Sequence, residues 1–193
     1  MSNLLIIGAG GHGKVVAEAA ELSGDWNIIS FLDDRKNLTS VLGFKVVGTL
    51  NQYRDFSTVY SNAIVALGDN EKRLEWIEKL IQAGFEVPVI VHPHASVSKY
   101  SSIQLGTVIL SRAVVNTDTT VGKGCIVNIN ACVDHDCEIE DGVHIGSSAT
   151  VRSMCHIERL AVIGAASLVK SSTYLKESFV LPDGKVVNSN GIL

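Results

Sequence analysis

Residues 127–145 read VNINACVDHDCEIEDGVHI, and in them Val127, Val133, Ile139 and Ile145 stand six residues apart. The step runs back through Val121, Val115, Ile109, Ile103 and Val97 to Val91, and on through Val151, Ile157 and Ile163 to Val169. Fourteen β-branched aliphatic side chains thus keep one register without a slip. Four residues after each stands a small side chain almost without exception, as at Ala95, Ala113, Cys125, Ala131, Ala149 and Ala161. Self-similarity at a fixed short period is the mark of a repeat fold.

An α-helix turns about 100° per residue, so six residues leave a rotation of about 240° and the aliphatic column would wander around every side. A long straight strand would put the residue two positions further on the same face, yet those positions hold Lys99, Ser111, Thr117, Lys123, His135, Asp141 and Arg159. The chain must therefore turn once in every hexapeptide. Short β pieces with such turns close into a triangular prism, three hexapeptides or 18 residues to a coil, with the aliphatic side chains stacked inside. Residues 87–170 are expected to form this parallel β-helix, roughly 20 Å tall at about 4.8 Å per stacked strand. The small residues relieve crowding at its corners. Beyond Val169 the β-branched column ends, so residues 171–193, with Val180-Leu181-Pro182-Asp183-Gly184-Lys185, read as a C-terminal tail.

Residues 1–86 lack the repeat and read as a separate α/β, Rossmann-like domain. Leu4–Ile7 is a strand, Gly8-Ala9-Gly10-Gly11-His12-Gly13 a turn, 14–23 a helix, and Ile28–Leu32 a second strand that ends at Asp33-Asp34. A strand over 63–67 leads through Gly68-Asp69-Asn70 into a helix stopped by Gly84. Gly8-x-Gly10-x-x-Gly13 between strand and helix, with Asp33 twenty residues beyond Gly13, satisfies the dinucleotide fingerprint. Its physics is generic: glycines admit a phosphate to the backbone, and the N–H groups of the helix start hold the charge. A nucleotide-sugar pyrophosphate is favoured over NAD, because the rest of the chain is prism and leaves no dehydrogenase domain. His12 also sits in the turn, placed to face a phosphate or sugar.

A net charge of −4, with Lys plus Arg at 16 against Asp plus Glu at 20, gives no basic field for nucleic acid. No apolar run approaches the roughly 18 residues of a membrane span. Met1-Ser2-Asn3 runs into the first strand without the basic and long apolar regions of a signal peptide. Cys125, Cys132, Cys137 and Cys155 form no CxxC pair and read as reduced core fillers, in keeping with a cytoplasmic protein. Lys14, Lys36, Lys72 and Arg73 lie near helix starts or loops and read as solvated surface groups.

The combination of GAGGHGKVVAE, FLDD, Gly68-Asp69-Asn70 and Asp134-His135-Asp136-Cys137 resembles the sugar O- and N-acyltransferases of the hexapeptide-repeat class. These include sialic acid O-acetyltransferases, UDP-4-amino-sugar N-acetyltransferases and perosamine N-acetyltransferases. The resemblance implies a left-handed β-helix, a homotrimer with active sites between subunits, acetyl-CoA as co-substrate and no metal. It implies N-acetylation of a nucleotide-linked 4-amino-4,6-dideoxy sugar in bacterial surface glycan synthesis, with O-acetylation of a sialic-acid-like sugar as the alternative. His135 would be the general base and Asp136 the acid that orients it. Gly10, Gly11, His12, Asp33, Asp34 and Gly68 would contact the nucleotide sugar, and His144, Gly164 and Ala165 the acyl-CoA.

His135 occupies a polar outward position two residues after Val133, where a neighbouring carboxylate can raise its basicity and fix its tautomer. Nine residues, half a coil, separate it from His144, so the two should lie on different sides of one prism and meet only across neighbouring subunits. His156 is expected to decorate the surface. A zinc enzyme using His135, His144 and His156 across subunits is the weaker alternative, since it leaves the N-terminal domain without a role. Members of the resembled class commonly run one coil further, so a prism stopping at Val169 also keeps open a non-catalytic sugar-nucleotide-binding protein with a degraded CoA site.

Overall fold

The computed structural model describes residues 2–193. The N-terminal domain is a five-stranded sheet of β1 (Ser2–Ile7), β2 (Trp26–Leu32), β3 (Ser40–Val41), β4 (Phe44–Gly48) and β5 (Asn62–Val65), in the order β3-β4-β2-β1-β5. The central strand β1 pairs in parallel with both β2 and β5. Leu4 through Ile7 are fully buried, as expected of a central parallel strand covered on both faces. The first helix, α1 (Gly11–Ser23), starts three residues earlier than the sequence suggests, so Gly11, His12 and Gly13 form its first turn. It buries Val16, Ala17, Ala19 and Ala20 and ends at Gly24, whose φ of 74° supplies the left-handed C-cap. The second helix, α2 (Asn70–Gln82), is capped by the Asp69 carboxylate, which accepts from the Lys72 N–H at 3.0 Å.

From Ile90 the chain coils into a three-sided prism. Its first face stacks the strands at 90–91, 108–109, 126–127, 144–145, 162–163 and 180–181. The second stacks 96–97, 114–115, 132–133, 150–151, 168–169 and 186–188, and the third 102–103, 120–121, 138–139, 156–157 and 174–175. Partners in each ladder are 18 residues apart, as in Val115 with Val133 and Val133 with Val151. The expected inward column, including Val115, Val133, Ile145 and Ile163, is buried and forms a continuous core with Ala113, Ala131, Ala149 and Ala161. Every sixth residue from Gly106 to Gly184 has a positive φ, so each corner is a left-handed residue. Most of these are not glycine; Asp118, Asn130 and Asp136 belong to the types that tolerate this region best.

The prism does not stop at Val169. Leu175, Leu181 and Val187 continue the six-residue step, are buried, and pair with Ile157, Ile163 and Val169. Leucine fills the inward position at two of them, so the column loses its β-branched signature while keeping its period. Residues 171–193 therefore form a further coil rather than a tail, closed by Gly191–Ile192 pairing antiparallel to Val186–Asn188. The cysteines also divide. Cys125, Cys137 and Cys155 are buried corner fillers, whereas Cys132 precedes an inward residue and points outward from the second face.

Candidate active site

The glycines of the first turn have separate tasks. Gly8, at φ 98°, turns the chain out of β1, and its N–H donates to the Leu32 carbonyl at 2.9 Å. A Cβ on Gly13 would lie 2.2 Å from the Gly8 oxygen, so only glycine lets α1 approach the strand. Nothing lies within 4 Å of a Cβ built on Gly10 or Gly11, and both are exposed. Gly10 caps α1 without a side chain, and no acidic residue occupies the first turn. The helix therefore presents its positive end, with open backbone around it, to an anion.

Asp33 and Asp34 follow β2 at the carboxyl edge of the sheet, where open α/β sheets take their ligands. Their carboxylates are engaged within the chain. Asp33 accepts the Ala9 N–H at 2.9 Å and Arg35 Nε at 2.7 Å, while Arg35 Nη2 donates to the Ala9 carbonyl at 2.7 Å. The Arg35 guanidinium, with the Ala9 amide, holds the Asp33 pKa down to about 2. Asp34 accepts the Leu50 N–H at 2.9 Å. Asp33 thus braces the glycine turn and Asp34 the chain at Leu50, and the half-exposed Arg35 joins both in lining a cavity of about 280 Å³. Arg35 was not singled out from the sequence; its place directly after Asp33-Asp34 is the only signal there.

His12 and His144 converge within one chain. His12 projects from the first turn of α1, and among the described residues its Nε2 is the buried side-chain nitrogen or oxygen without a hydrogen-bond partner. His144 stands outward on the first prism face, with its Nε2 3.3 Å from Asn128 Nδ2. Burial lowers both imidazoles to about 4, aided by Arg73 and, for His12, by His144. Beside them, Gly68 to Glu71 and the outward Val162 and Val180 line a cleft of about 340 Å³. Arg73 is the residue the sequence misplaced: it is fully buried, not solvated. Its position on the first turn of α2 faces the prism, which no local pattern reveals.

His135 lies elsewhere, at the corner between the second and third faces, and is exposed. Its Nδ1–H donates to Asp136 Oδ2 at 2.5 Å. Asp136 can reach back because it is the left-handed corner residue, at φ 57°. Asp134 fixes the other side of the turn, accepting the His135 N–H at 2.9 Å and Asn116 Nδ2 at 3.0 Å. The hydrogen bond to Asp136 raises the His135 pKa above 6.5, reinforced by the charge of Asp134. With Nδ1 paired to Asp136, Nε2 is the ring nitrogen left able to accept a proton. His135 and His144 thus stand on different sides of the prism.

Gly164 and Ala165 form a corner between the first and second faces. The Gly164 N–H donates to the Leu181 carbonyl at 2.8 Å and the Ala165 N–H to Asp183 Oδ1 at 2.8 Å, so both amides serve the next coil. On the third face His156 is half-buried rather than free, with Nε2 2.8 Å from Glu140 Oε1 and Nδ1 3.5 Å from Glu138 Oε2. Each ring nitrogen is turned to a different carboxylate. A larger cavity of about 410 Å³ runs between α2 and the prism, but its Lys123 is paired with Glu78 at 3.1 Å and Asp141 at 3.8 Å.

Residues 3–80 match the family described as the PglD N-terminal domain, and residues 85–192 match the GMPPB C-terminal domain. The acetyltransferase domain of PglB from Neisseria gonorrhoeae FA1090, solved with acetyl coenzyme A, is 36% identical, with a TM-score of 0.89 over 100% of this chain and 98% of that one. The chain belongs to the PglD-like sugar acyltransferases. A mutant of GDP-perosamine N-acetyltransferase from Caulobacter crescentus, in complex with CoA and GDP-perosamine, is 27% identical, with a TM-score of 0.69 over 96% of this chain and 93% of that one. UDP-N-acetylbacillosamine N-acetyltransferase of Bacillus subtilis (strain 168) is 30% identical over 113 residues, 58% of this chain. The match spans about half of that relative's length, 52%. The architecture is that of the left-handed β-helix acetyltransferases, an α/β domain followed by the hexapeptide prism.

Proposed function

We propose that the protein transfers the acetyl group of acetyl-CoA to the amine of a nucleotide-linked 4-amino-4,6-dideoxy sugar, in bacterial surface glycan synthesis. The hydrogen-bonded His135–Asp136 pair on an exposed corner carries this reading. The attacking amine must be neutral, since an ammonium has no lone pair. As its nitrogen bonds to the thioester carbonyl carbon, His135 Nε2 takes the proton and Asp136 stabilises the imidazolium. The tetrahedral oxyanion collapses, the carbon–sulfur bond breaks, and CoA leaves as the thiolate, which is then protonated. Prism backbone amides or an imidazole N–H are the donors available to the oxyanion.

The pyrophosphate sits at the N-terminus of α1, against Gly10, Gly11 and His12, with Gly68 opposite. Asp33 and Asp34 act there by holding the turn and the cavity wall. The acyl-CoA runs along the prism past His144 towards Gly164 and Ala165. The coil over 171–193 supplies the surface whose apparent absence favoured a non-catalytic protein. The GDP-perosamine and acetyl-CoA complexes of the relatives support both substrate classes.

A homotrimer completes the site. The second face presents Val114, Cys132, Leu168 and Val186 outward, all half-buried, while exposed Ile129 flanks it at one corner and exposed Tyr100 and Met154 at the other. A neighbouring prism covering this apolar strip would bring its edge to His135 and meet the His12–His144 cleft of the adjacent chain. Acetyl-CoA supply and unpaired cysteines fit the cytoplasm.

Thiol release from acetyl-CoA with a panel of UDP-, GDP- and TDP-linked 4-amino sugars tests the proposal. One acceptor is expected to turn over, with His135→Ala losing about 10²- to 10⁴-fold in kcat. Sugar-nucleotide binding without thiol release on any acceptor would overturn it.

A further inference from the structure

Arg73 carries a fully buried charge, and no salt bridge to it occurs among the described residues. All its contacts are neutral oxygens. Nε donates to the Gly124 carbonyl at 2.6 Å, and Nη2 to the Gly142 carbonyl at 3.0 Å and to Asn70 Oδ1 at 2.7 Å. Nη1 donates to the carbonyls of Leu67 at 3.0 Å and Gly68 at 3.3 Å. Asn70 extends the series, its Nδ2 donating to the Leu160 carbonyl at 3.0 Å. Gly124, Gly142 and Leu160 are 18 residues apart, so they are the same corner in three successive coils. Two side chains of α2 therefore read three rungs of the prism, while the same guanidinium grips the turn that carries Gly68.

A buried cation without a carboxylate is an expensive way to fill space, and an apolar side chain would pack the same volume at less cost. A rigid planar fork instead fixes several acceptors in set directions, which the compact, rotatable ammonium of lysine does not and an apolar residue cannot. The acceptors here belong to both domains. Arg73 also faces His12 from α1 and His144 from the prism; Asp69 and Cys125 are the titratable groups that face Arg73 itself.

Building on the proposed acetyl transfer, we propose that Arg73, with Asn70, is the positioning residue that holds the nucleotide-sugar turn and the acyl-transfer edge of the prism in one frame. It acts through Gly68, His12 and His144. Each half-site can bind its own ligand without it, whereas the distance between the acceptor amine and the thioester depends on it. Its charge adds to the burial that keeps both imidazoles neutral.

The test compares Arg73→Met, which loses charge and fork, with Arg73→Lys, which keeps the charge alone. Both are expected to lower kcat roughly 10- to 100-fold, the range for small misplacements of reacting groups, while the KM values and the separate binding of sugar nucleotide and CoA change less than about threefold. Removing the charge removes one cause that lowers the pKa values of His12 and His144, so these two imidazoles should titrate at higher pH in Arg73→Met than in Arg73→Lys by NMR, while the acid limb of kcat, set by His135, stays in both. Wild-type kcat in a folded Arg73→Met protein would overturn the proposal, as would a parallel loss of both binding steps. Should Arg73→Met not fold, Asn70→Ser removes one rung and must show the same split at smaller size. Hydrogen exchange in the full chain separates this proposal from the function it builds on. Faster exchange is expected in Arg73→Lys at 67–70 together with 124–125 and 142–143, whichever acceptor the wild type uses or refuses, and unchanged exchange there would overturn the clamp.

Discussion

His135 is an exposed imidazole whose properties come from the residue after it. A corner residue in the left-handed region turns its side chain back over the preceding turn, and Asp136 uses this to reach Nδ1 at 2.5 Å. The carboxylate favours the protonated ring, so the His135 pKa stands above 6.5. A general base works only when deprotonated. Activity should therefore fall as pH drops through a midpoint above 6.5, and this acid limb belongs to His135, because His12 and His144 titrate near 4. Asp136→Asn removes the negative charge that raises the pKa. The limb should move to lower pH, and the plateau kcat should fall by about tenfold or more, since a weaker base has less driving force to take the proton. A pH–rate profile of the two proteins on one acceptor checks this, and a limb that does not move would place the titrating group elsewhere.

Each corner of the prism must let the next coil stack at strand spacing, and the residues there differ in how they allow it. Gly184 is left-handed at φ 66° with open space where a Cβ would stand, whereas a Cβ on Gly164 would lie 2.5 Å from the Asp183 nitrogen and 2.6 Å from the Leu181 oxygen. Gly184→Ala should cost about 1 kcal/mol, the price of the backbone region alone. Gly164→Ala should cost about 3 kcal/mol or more, because the obstruction is backbone that cannot rotate away. Denaturant midpoints of the two variants should rank in that order, and equal midpoints would mean that the coils slide apart freely. The same corners explain what could be read from the chain. A period of six with small residues at fixed offset demanded a prism, and Leu175 and Leu181 hid its last coil because leucine keeps the inward size but not the β-branch that marked the column. The Gly8-to-Gly13 turn and His135–Asp136 were legible because local chemistry sets them. Arg73 and the meeting of His12 with His144 were not, because each depends on which surfaces the two domains turn toward one another, and Arg35 was not, because its bond to Ala9 depends on how β2 and the glycine turn fold together.

Assembly is what joins the two halves of the proposed site. Within one chain His144 stands on the first face beside His12, while His135 occupies the corner between the second and third. A single prism cannot bring them together, but a threefold assembly repeats a heterologous contact in which one chain offers its His135 edge and the next its His144 cleft. His135→Ala and His144→Ala should each be nearly inactive as pure assemblies. When the two variants are co-expressed and mix at random, a mixed trimer holds one contact in which the intact His135 of one subunit faces the intact His144 of its neighbour. Three of every four trimers are mixed, so about a quarter of wild-type activity should return. Restoration requires trimerisation and inter-subunit sites together, so light scattering should report a mass near three times 20.6 kDa in the same sample. A trimer that stays inactive on mixing would place both imidazoles' work within one chain, and a monomer with full wild-type activity would remove the assembly from the mechanism altogether.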